Sequence, residues 1–273
     1  MSVQLGTVAA IGFEDLPPRQ CLACYREIGC KTVQAYRNAK VKLSVGRMLD
    51  AIAEGQMPCD SLHGVFGEQY DPSAPDEQVR RFAVDTYKSE GELAIELGGP
   101  LVIVHCSTVR REGVSSQERA RRVEQLGRSI AELGAFGRQI GVRYAFENLP
   151  SHHAIGSDVG ELAGLLARVG APNTGMCLDA GHANMVGDTA QAALAGAGRM
   201  IYIHLSDNFR AVDDHLMPGQ GTIDTDALGV ALAKANYAGT VMLEVFYPPE
   251  RLRRAIDEGC GKRMARMIEL ANG

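Results

Sequence analysis

Eight short β-branched or aliphatic runs recur along the 273 residues, and most of them carry, at or within two residues of their C-terminal end, a residue that can titrate or bind a metal. The runs cover residues 4–9, 32–36, 59–65, 101–106, 142–147, 174–179, 200–205 and 240–246. Longer stretches of helical periodicity separate them, among them 75–97, 115–139, 158–168 and 224–235, and a last helix follows Pro248-Pro249 to about Leu270. Strands alternating with helices are the rhythm of a parallel sheet with crossover helices. Runs such as Leu101-Val102-Ile103-Val104 are apolar throughout, as strands buried on both faces must be. Eight such units in a chain of this length predict an α/β fold, a single (β/α)8 TIM barrel forming one domain over residues 1–273. An open nucleotide-binding sheet is disfavoured, because no G-x-G-x-x-G follows the first run. Gly141, Gly170 and Gly239 stand where helices are expected to end on left-handed caps.

In such a barrel the strand ends on one side converge on one mouth, and that mouth carries the active site. His63, His105, Glu147-Asn148, Asp179, His204 and Glu244 close successive runs, with His182 and His215 just beyond. Carboxylates placed directly after buried apolar runs carry a large desolvation cost unless they are paired or hold a cation. Glu147, Asp179, His204 and Glu244 together form a mixed oxygen and nitrogen ligand set suited to Mn²⁺, Mg²⁺, Co²⁺ or Zn²⁺. One such residue alone would more often be a capping or hydrogen-bonding group. His152 and His153 lack this register and read as loop residues within reach of a substrate. Arg110, Arg111, Arg119, Arg121 and Arg122 are interleaved with Glu112, Glu118 and Glu124, which reads as a solvated helix face. Gly219-Gln220-Gly221 reads as a tight turn before it reads as a phosphate cradle.

The net charge of −5 disfavours nucleic acid as a partner. No apolar stretch approaches the roughly 18 residues that would cross a bilayer, so no membrane partner is expected. Met1-Ser2-Val3-Gln4-Leu5 carries no basic leader before a long apolar run, and the seven cysteines suggest reduced thiols, which together point to a cytoplasmic protein. Cys21-x-x-Cys24 lacks a second pair and reads as part of an early helix. A homo-oligomer is compatible with the sequence.

The segment His204-Leu205-Ser206-Asp207-Asn208, then Asp213-Asp214-His215-Leu216, then Pro218-Gly219-Gln220-Gly221-Thr222-Ile223-Asp224, resembles the signature of the xylose isomerase-like barrel superfamily. Glu147-Asn148, Asp179-x-x-His182 and Glu244 follow in the matching order, so the resemblance covers most of the chain, specifically in its second half and loosely before His63. It is nearest to the sugar or sugar phosphate isomerase and epimerase branch, which includes ketose 3-epimerases, hydroxypyruvate isomerases and inosose-processing enzymes. This resemblance implies one divalent ion on Glu147, Asp179, His204 and Glu244, with Glu147 and Glu244 moving protons. It implies substrate contacts from His182 and Arg210, with His105 beside them. The expected partner is a small carbohydrate-like molecule, its identity set by loops 66–75, 110–116 and 149–157. The chain also resembles endonuclease IV-type enzymes, which cut abasic DNA with three zinc ions. Their nine-ligand pattern maps onto His63, His105, Glu147, Asp179, His182, His204, Asp213, His215 and Glu244. A barrel that only binds a sugar or metal is a third class, against which the intact pair of glutamates speaks.

Overall fold

In the computed structural model, which describes residues 2–273, eight parallel strands close into a barrel in chain order. They are β1 (Gln4–Ile11), β2 (Thr32–Arg37), β3 (Cys59–His63), β4 (Leu101–His105), β5 (Arg143–Glu147), β6 (Thr174–Asp179), β7 (Met200–Leu205) and β8 (Thr240–Leu243), and β1 pairs with both β2 and β8. The helices are α1 (Pro18–Ile28), α2 (Val45–Glu54), α3 (Glu77–Glu96), α4 (Ser116–Ile140), α5 (Val159–Val169), α6 (Ala180–Val186), α7 (Thr189–Ala195), α8 (Thr225–Lys234), α9 (Pro249–Asp257) and α10 (Cys260–Asn272). The (β/α)8 barrel expected from the alternation is therefore present. Among the described residues no helix is long and apolar enough to cross a membrane.

Alternation along each strand divides the barrel into an outer and an inner face. Outward residues such as Val33, Ala35, Val102 and Val104 join the large core between strands and helices. Val8, Leu101, Ile103, Ala145, Cys177, Tyr202 and Met242 fill the barrel itself. Two residues further along the same inward face stand His63, His105, Glu147, Asp179, His204 and Glu244. The top layer of the barrel is thus polar where the layer beneath is packed and dry. Lower down, Asp60 ties the floor together, accepting from the Tyr202 hydroxyl (2.8 Å) and from Thr240 Oγ1 (2.6 Å).

Most helices start on a side-chain cap. Ser44, Asp76, Ser115, Asp158, Asp179, Asp188 and Asp224 each accept a backbone N–H of the first turn, an interaction worth about 1 kcal/mol apiece. Gly141 and Gly170 take the left-handed cap expected of them, but Gly239 does not. Helix α8 ends early at Lys234, and Asn236 supplies the positive φ of 52° instead. The last helix is two: Gly259, at φ 89°, breaks the run between α9 and α10. The strand at 240–246 ends at Leu243, after which Glu244 N still bonds Leu205 O (3.0 Å), and the run at 59–65 ends at His63. The Cys21-x-x-Cys24 pair lies on α1 as expected, and among the described residues all seven cysteines are buried free thiols.

Helix α4 approaches the barrel through glycine. A Cβ on Gly134 would stand 2.5 Å from the Pro172 carbonyl oxygen and 2.8 Å from the Ala171 side chain. Two effects compete at this site. Helix propensity alone says that Gly134→Ala stabilises by about 0.5–1 kcal/mol. The backbone contact cannot yield without moving the helix, and such overpacking costs about 1–3 kcal/mol. Gly134→Ala is therefore expected to lower the urea midpoint, and a raised midpoint would show that the close approach does not matter.

Candidate functional site

Four strands deliver the central cluster. Neighbouring strands place His105 opposite Glu147, Glu147 opposite Cys177, and Asp179 opposite His204. One ligand atom from each of Glu147, Asp179, His204 and Glu244 lies within 4.8 Å of all the others, and all four residues are buried. His204 Nδ1 is 2.8 Å from Glu147 Oε1, 3.3 Å from Glu244 Oε2 and 3.9 Å from Asp179 Oδ2. Three carboxylates thus converge on one imidazole nitrogen.

Asp179 has two tasks. Its Oδ1 accepts from His182 N (2.6 Å) and caps α6, which leaves Oδ2 buried and without a partner. Asn148 holds the start of this turn, accepting from Asp179 N (2.7 Å) and donating to Asp179 O (3.0 Å). Glu147 Oε2 is likewise buried and accepts no hydrogen bond. Such atoms are costly unless something satisfies them. Three hard oxygens and an imidazole could hold a divalent cation, and the orphaned oxygens fit that reading.

Two further groups flank the centre. On one side, His105 Nε2 is 3.3 Å from Glu147 Oε2, while His63 Nε2 is 3.9 Å from Glu147 and 3.8 Å from Glu244. On the other, Asp213 Oδ2 is 3.1 Å from both His182 Nε2 and His215 Nε2. His63, His182 and His215 each give Nδ1–H to a backbone carbonyl, of Gly64 (2.9 Å), Asn148 (2.8 Å) and Glu244 (2.8 Å). A carbonyl only accepts, so these contacts fix the ring orientation and aim Nε2 at the carboxylates.

The electrostatics follow from burial set against this crowding. Burial lifts Asp179 up to about 8; Glu244 and Glu147 add to the rise and His182 opposes it. Burial would lift Glu147 too, but His204 and His105 outweigh it and hold that carboxyl well below its usual range. Burial would lower His182 and His215, yet the neighbouring carboxylates outweigh it, Asp179 and Asp213 for the first and Asp213 and Glu244 for the second. Both imidazoles are raised to about 10. Burial brings His63 down to about 4.

Of the residues expected to bind metal or substrate by the family resemblance, Arg210 stands away from the cluster. It is exposed on the rim in left-handed backbone (φ 72°), its N–H donating to Asn208 Oδ1 (2.9 Å). Among the described residues no hydrogen bond or ion pair ties its guanidinium to the centre. The Gly219–Gly221 turn is tight, and its N–H groups are already taken. Asp207, fully buried, accepts from Asn208 N, Gly219 N, Gly221 N and Ile223 N at 2.8–3.0 Å, so no anion is needed there. The arginine run is only partly a solvated face. Arg122 turns inward to Asp71 Oδ2 (3.0 Å), and Arg119 donates to Ala154 O (3.1 Å). Asp71, which also accepts from Ser73 N and Thr108 Oγ1, thereby pins loop 66–75 over the mouth. Sequence patterns gave no sign of Asp71 or Asp207, because the groups they satisfy are distant or backbone.

Aromatic rings wall the opening. Phe66 stacks on His105 (4.7 Å, 15°), and Tyr36 packs on His63 (4.8 Å) and Phe246 (4.9 Å). A recess of about 110 Å³ lies beside them, lined by Tyr36, Arg37, His63 and Phe66 among others.

Comparison with known proteins accords with this geometry. An uncharacterized protein, y4fM, of Sinorhizobium fredii is 32% identical over 159 residues, 58% of this chain and 51% of that protein. An inosose isomerase of Bacillus velezensis is 26% identical over 180 residues, 63% of each. The chain thus spans between half and two thirds of the length of these relatives. Among solved structures, a D-tagatose 3-epimerase-like protein superposes with a TM-score of 0.76 at 18% identity, covering 100% of this chain and 98% of the other. A 3-keto-D-glucoside 4-epimerase from E. coli gives 0.75 at 17% identity, covering 94% and 98%. These likenesses are of fold. A model of the xylose isomerase-like TIM barrel matches residues 22–262, and the chain belongs to that family.

Proposed function

We propose that the chain is a divalent-metal-dependent isomerase or epimerase acting on a sugar, sugar phosphate or related polyhydroxy carbonyl compound. The observation that carries this is the meeting of Glu147, Asp179, His204 and Glu244, all buried, at the mouth of the barrel. The names of the relatives, an inosose isomerase and sugar epimerases, support the same reaction class. A cation held by the four would polarise a substrate carbonyl and offset the negative charge that develops on its oxygen.

The protein's own part is proton transfer and orientation. Glu147 on β5 and Glu244 after β8 come from strands three apart in a ring of eight, so they reach the mouth from different sides. Both are ionised: burial would raise Glu244, but His204 outweighs it and holds that carboxyl at about 2. An ionised carboxylate can remove the proton from the carbon beside a carbonyl, giving an enediolate, and the other glutamate, once it has taken up a proton from water, can return one. Return to the opposite face inverts the centre, whereas return to the adjacent carbon isomerises the substrate. His182, held by Asn148 O and Asp213, would orient a substrate hydroxyl, with His105 beside it. Arg210 would have to swing in from the rim to take part. Phe66, Tyr36 and Phe246 offer apolar faces to the C–H side of a sugar ring.

A phosphodiesterase with three zinc ions is the second reading. It is favoured by one observation: the flanking groups His63–His105–Glu147 and His182–Asp213–His215 complete a nine-residue ligand pattern around the centre. The net charge of −5 weighs against a DNA substrate.

Three outcomes are expected. Glu147→Gln and Glu244→Gln each lower turnover by about 10²–10⁴-fold, read as solvent deuterium incorporation across a panel of ketoses and inososes. Near-full activity in either variant would remove that glutamate from the mechanism. Elemental analysis finds one exchangeable divalent ion per chain, and a chelator lowers the melting temperature until Mn²⁺ is restored. Three tightly held zinc ions, together with nicking of abasic-site DNA, would transfer the assignment to the phosphodiesterase. Last, ligands bind metal only when deprotonated. With Asp179 raised to about 8, the proton competes below that pH and is gone above it. Mn²⁺ affinity should therefore fall by about tenfold or more per pH unit on descending below 8, since His204, which burial would lower but its carboxylate neighbours hold protonated, must lose a proton as well. Calorimetry in buffers of different ionisation heats would read the released proton, and a pH-independent affinity would contradict the assignment of Asp179.

A further inference from the structure

We propose that Cys177 is a positioning residue: its thiol takes the Nε2–H of His204 and so holds the imidazole with Nδ1 toward the three carboxylates. The proposal rests on the reading of Glu147, Asp179, His204 and Glu244 as cation ligands, and it adds the group that aims one of them. The histidines of the mouth divide by the way their rings are held. His63, His182 and His215 give Nδ1–H to backbone carbonyls and reach inward with Nε2. His204 is turned the other way. Its Nδ1 meets Glu147 Oε1 at 2.8 Å, and its Nε2 is buried without a hydrogen-bond partner.

A histidine that ligates a metal almost always gives its other ring N–H to an acceptor, and that contact fixes the tautomer. Around His204 the choice of acceptor is narrow. Tyr202, the inward residue below it on β7, presents its ring edge-on (5.9 Å, 85°). The Tyr202 hydroxyl is already engaged with Asp60 and Ser61, each at 2.8 Å. His63 stacks against the other side (5.8 Å, 20°) with its own Nδ1 committed to Gly64 O. What remains is sulfur. Cys177 is fully buried on the inner face of β6, in register with Glu147 and two residues before Asp179. Ligand atoms of Cys177, Glu147 and His204 lie within 4.8 Å of one another. A thiol sulfur is a weak acceptor, but in a dry layer it needs only to outcompete nothing.

The test uses the full chain and two variants, Cys177→Ser, which keeps an acceptor of similar size, and Cys177→Ala, which removes it. Cys177→Ala is expected to weaken Mn²⁺ binding by about 10- to 100-fold, and Cys177→Ser to restore most of the loss. Nitrogen-15 and proton spectra of the Zn²⁺-loaded protein should show the His204 Nε2–H shifted as a hydrogen-bonded donor in wild type and moved upfield in Cys177→Ala, a difference that ligation through Nδ1 alone would not produce. Equal Mn²⁺ affinity in Cys177→Ala and wild type would overturn the proposal. So would a thiolate-to-cobalt charge-transfer band in the Co²⁺-loaded wild type, since sulfur would then be a ligand itself. If neither variant folds, the wild-type Nε2–H decides: a resonance at the position of a donor with no acceptor would overturn the proposal. A wild-type chain that takes up no cation at all would instead remove the metal reading, and this inference with it.

Discussion

Three carboxylates forced together at the buried mouth of a barrel set the terms for the rest of this protein. Glu147, Asp179 and Glu244 are brought within reach of one imidazole nitrogen by strands that cannot separate without opening the closed sheet. Burial away from water, with repulsion from Glu244 and Glu147 added to it, drives one of them, Asp179, to keep its proton. The scaffold must be stiff enough to hold an arrangement that its own electrostatics oppose. The packed layer of Ile103, Ala145, Cys177, Tyr202 and Met242 beneath, and the outer core between strands and helices, supply that stiffness.

Much of this was legible in the sequence because two periodicities reinforce each other. Apolar runs of strand length marked the barrel, and the position of Glu147, Asp179, His204 and Glu244 at the ends of those runs marked the mouth. Parity along a strand then put them on the inner face, and the structure brings the four together as that spacing predicts. What could not be read was whatever depends on partners far away in the chain. Asp71 matters because Thr108 comes to it from the next loop and Arg122 from helix α4. Asp207 matters because four backbone N–H groups point at it. The break at Gly259 and the cap at Asn236 were missed for a different reason. A left-handed residue leaves little local signature when helical periodicity continues on either side.

The histidines show how one residue type is given different work by its surroundings. A backbone carbonyl at Nδ1 turns His63, His182 and His215 into rings that reach with Nε2. His204 has no such carbonyl and reaches with Nδ1. Spacing in the chain cannot distinguish these cases, since each of the four sits at or just past a strand end. The distinction arises from tertiary contacts made one residue or one strand away.

The clasp at Asp207 has a consequence for how such a chain can diversify. Asp207 and Leu216 exchange backbone hydrogen bonds in both directions at 2.8 Å, so the chain between them leaves the barrel and returns at the same point. A segment with joined ends can lengthen, shorten or change its side chains at little entropic cost to what lies outside the joint. Phe209 and Val212, both well exposed, stand on that segment above the opening. The barrel thus carries a brim clasped at its base: Asp213 and His215 on it face the site, and its outer residues can be refitted to new molecules while Glu147, Asp179, His204 and Glu244 stay as they are.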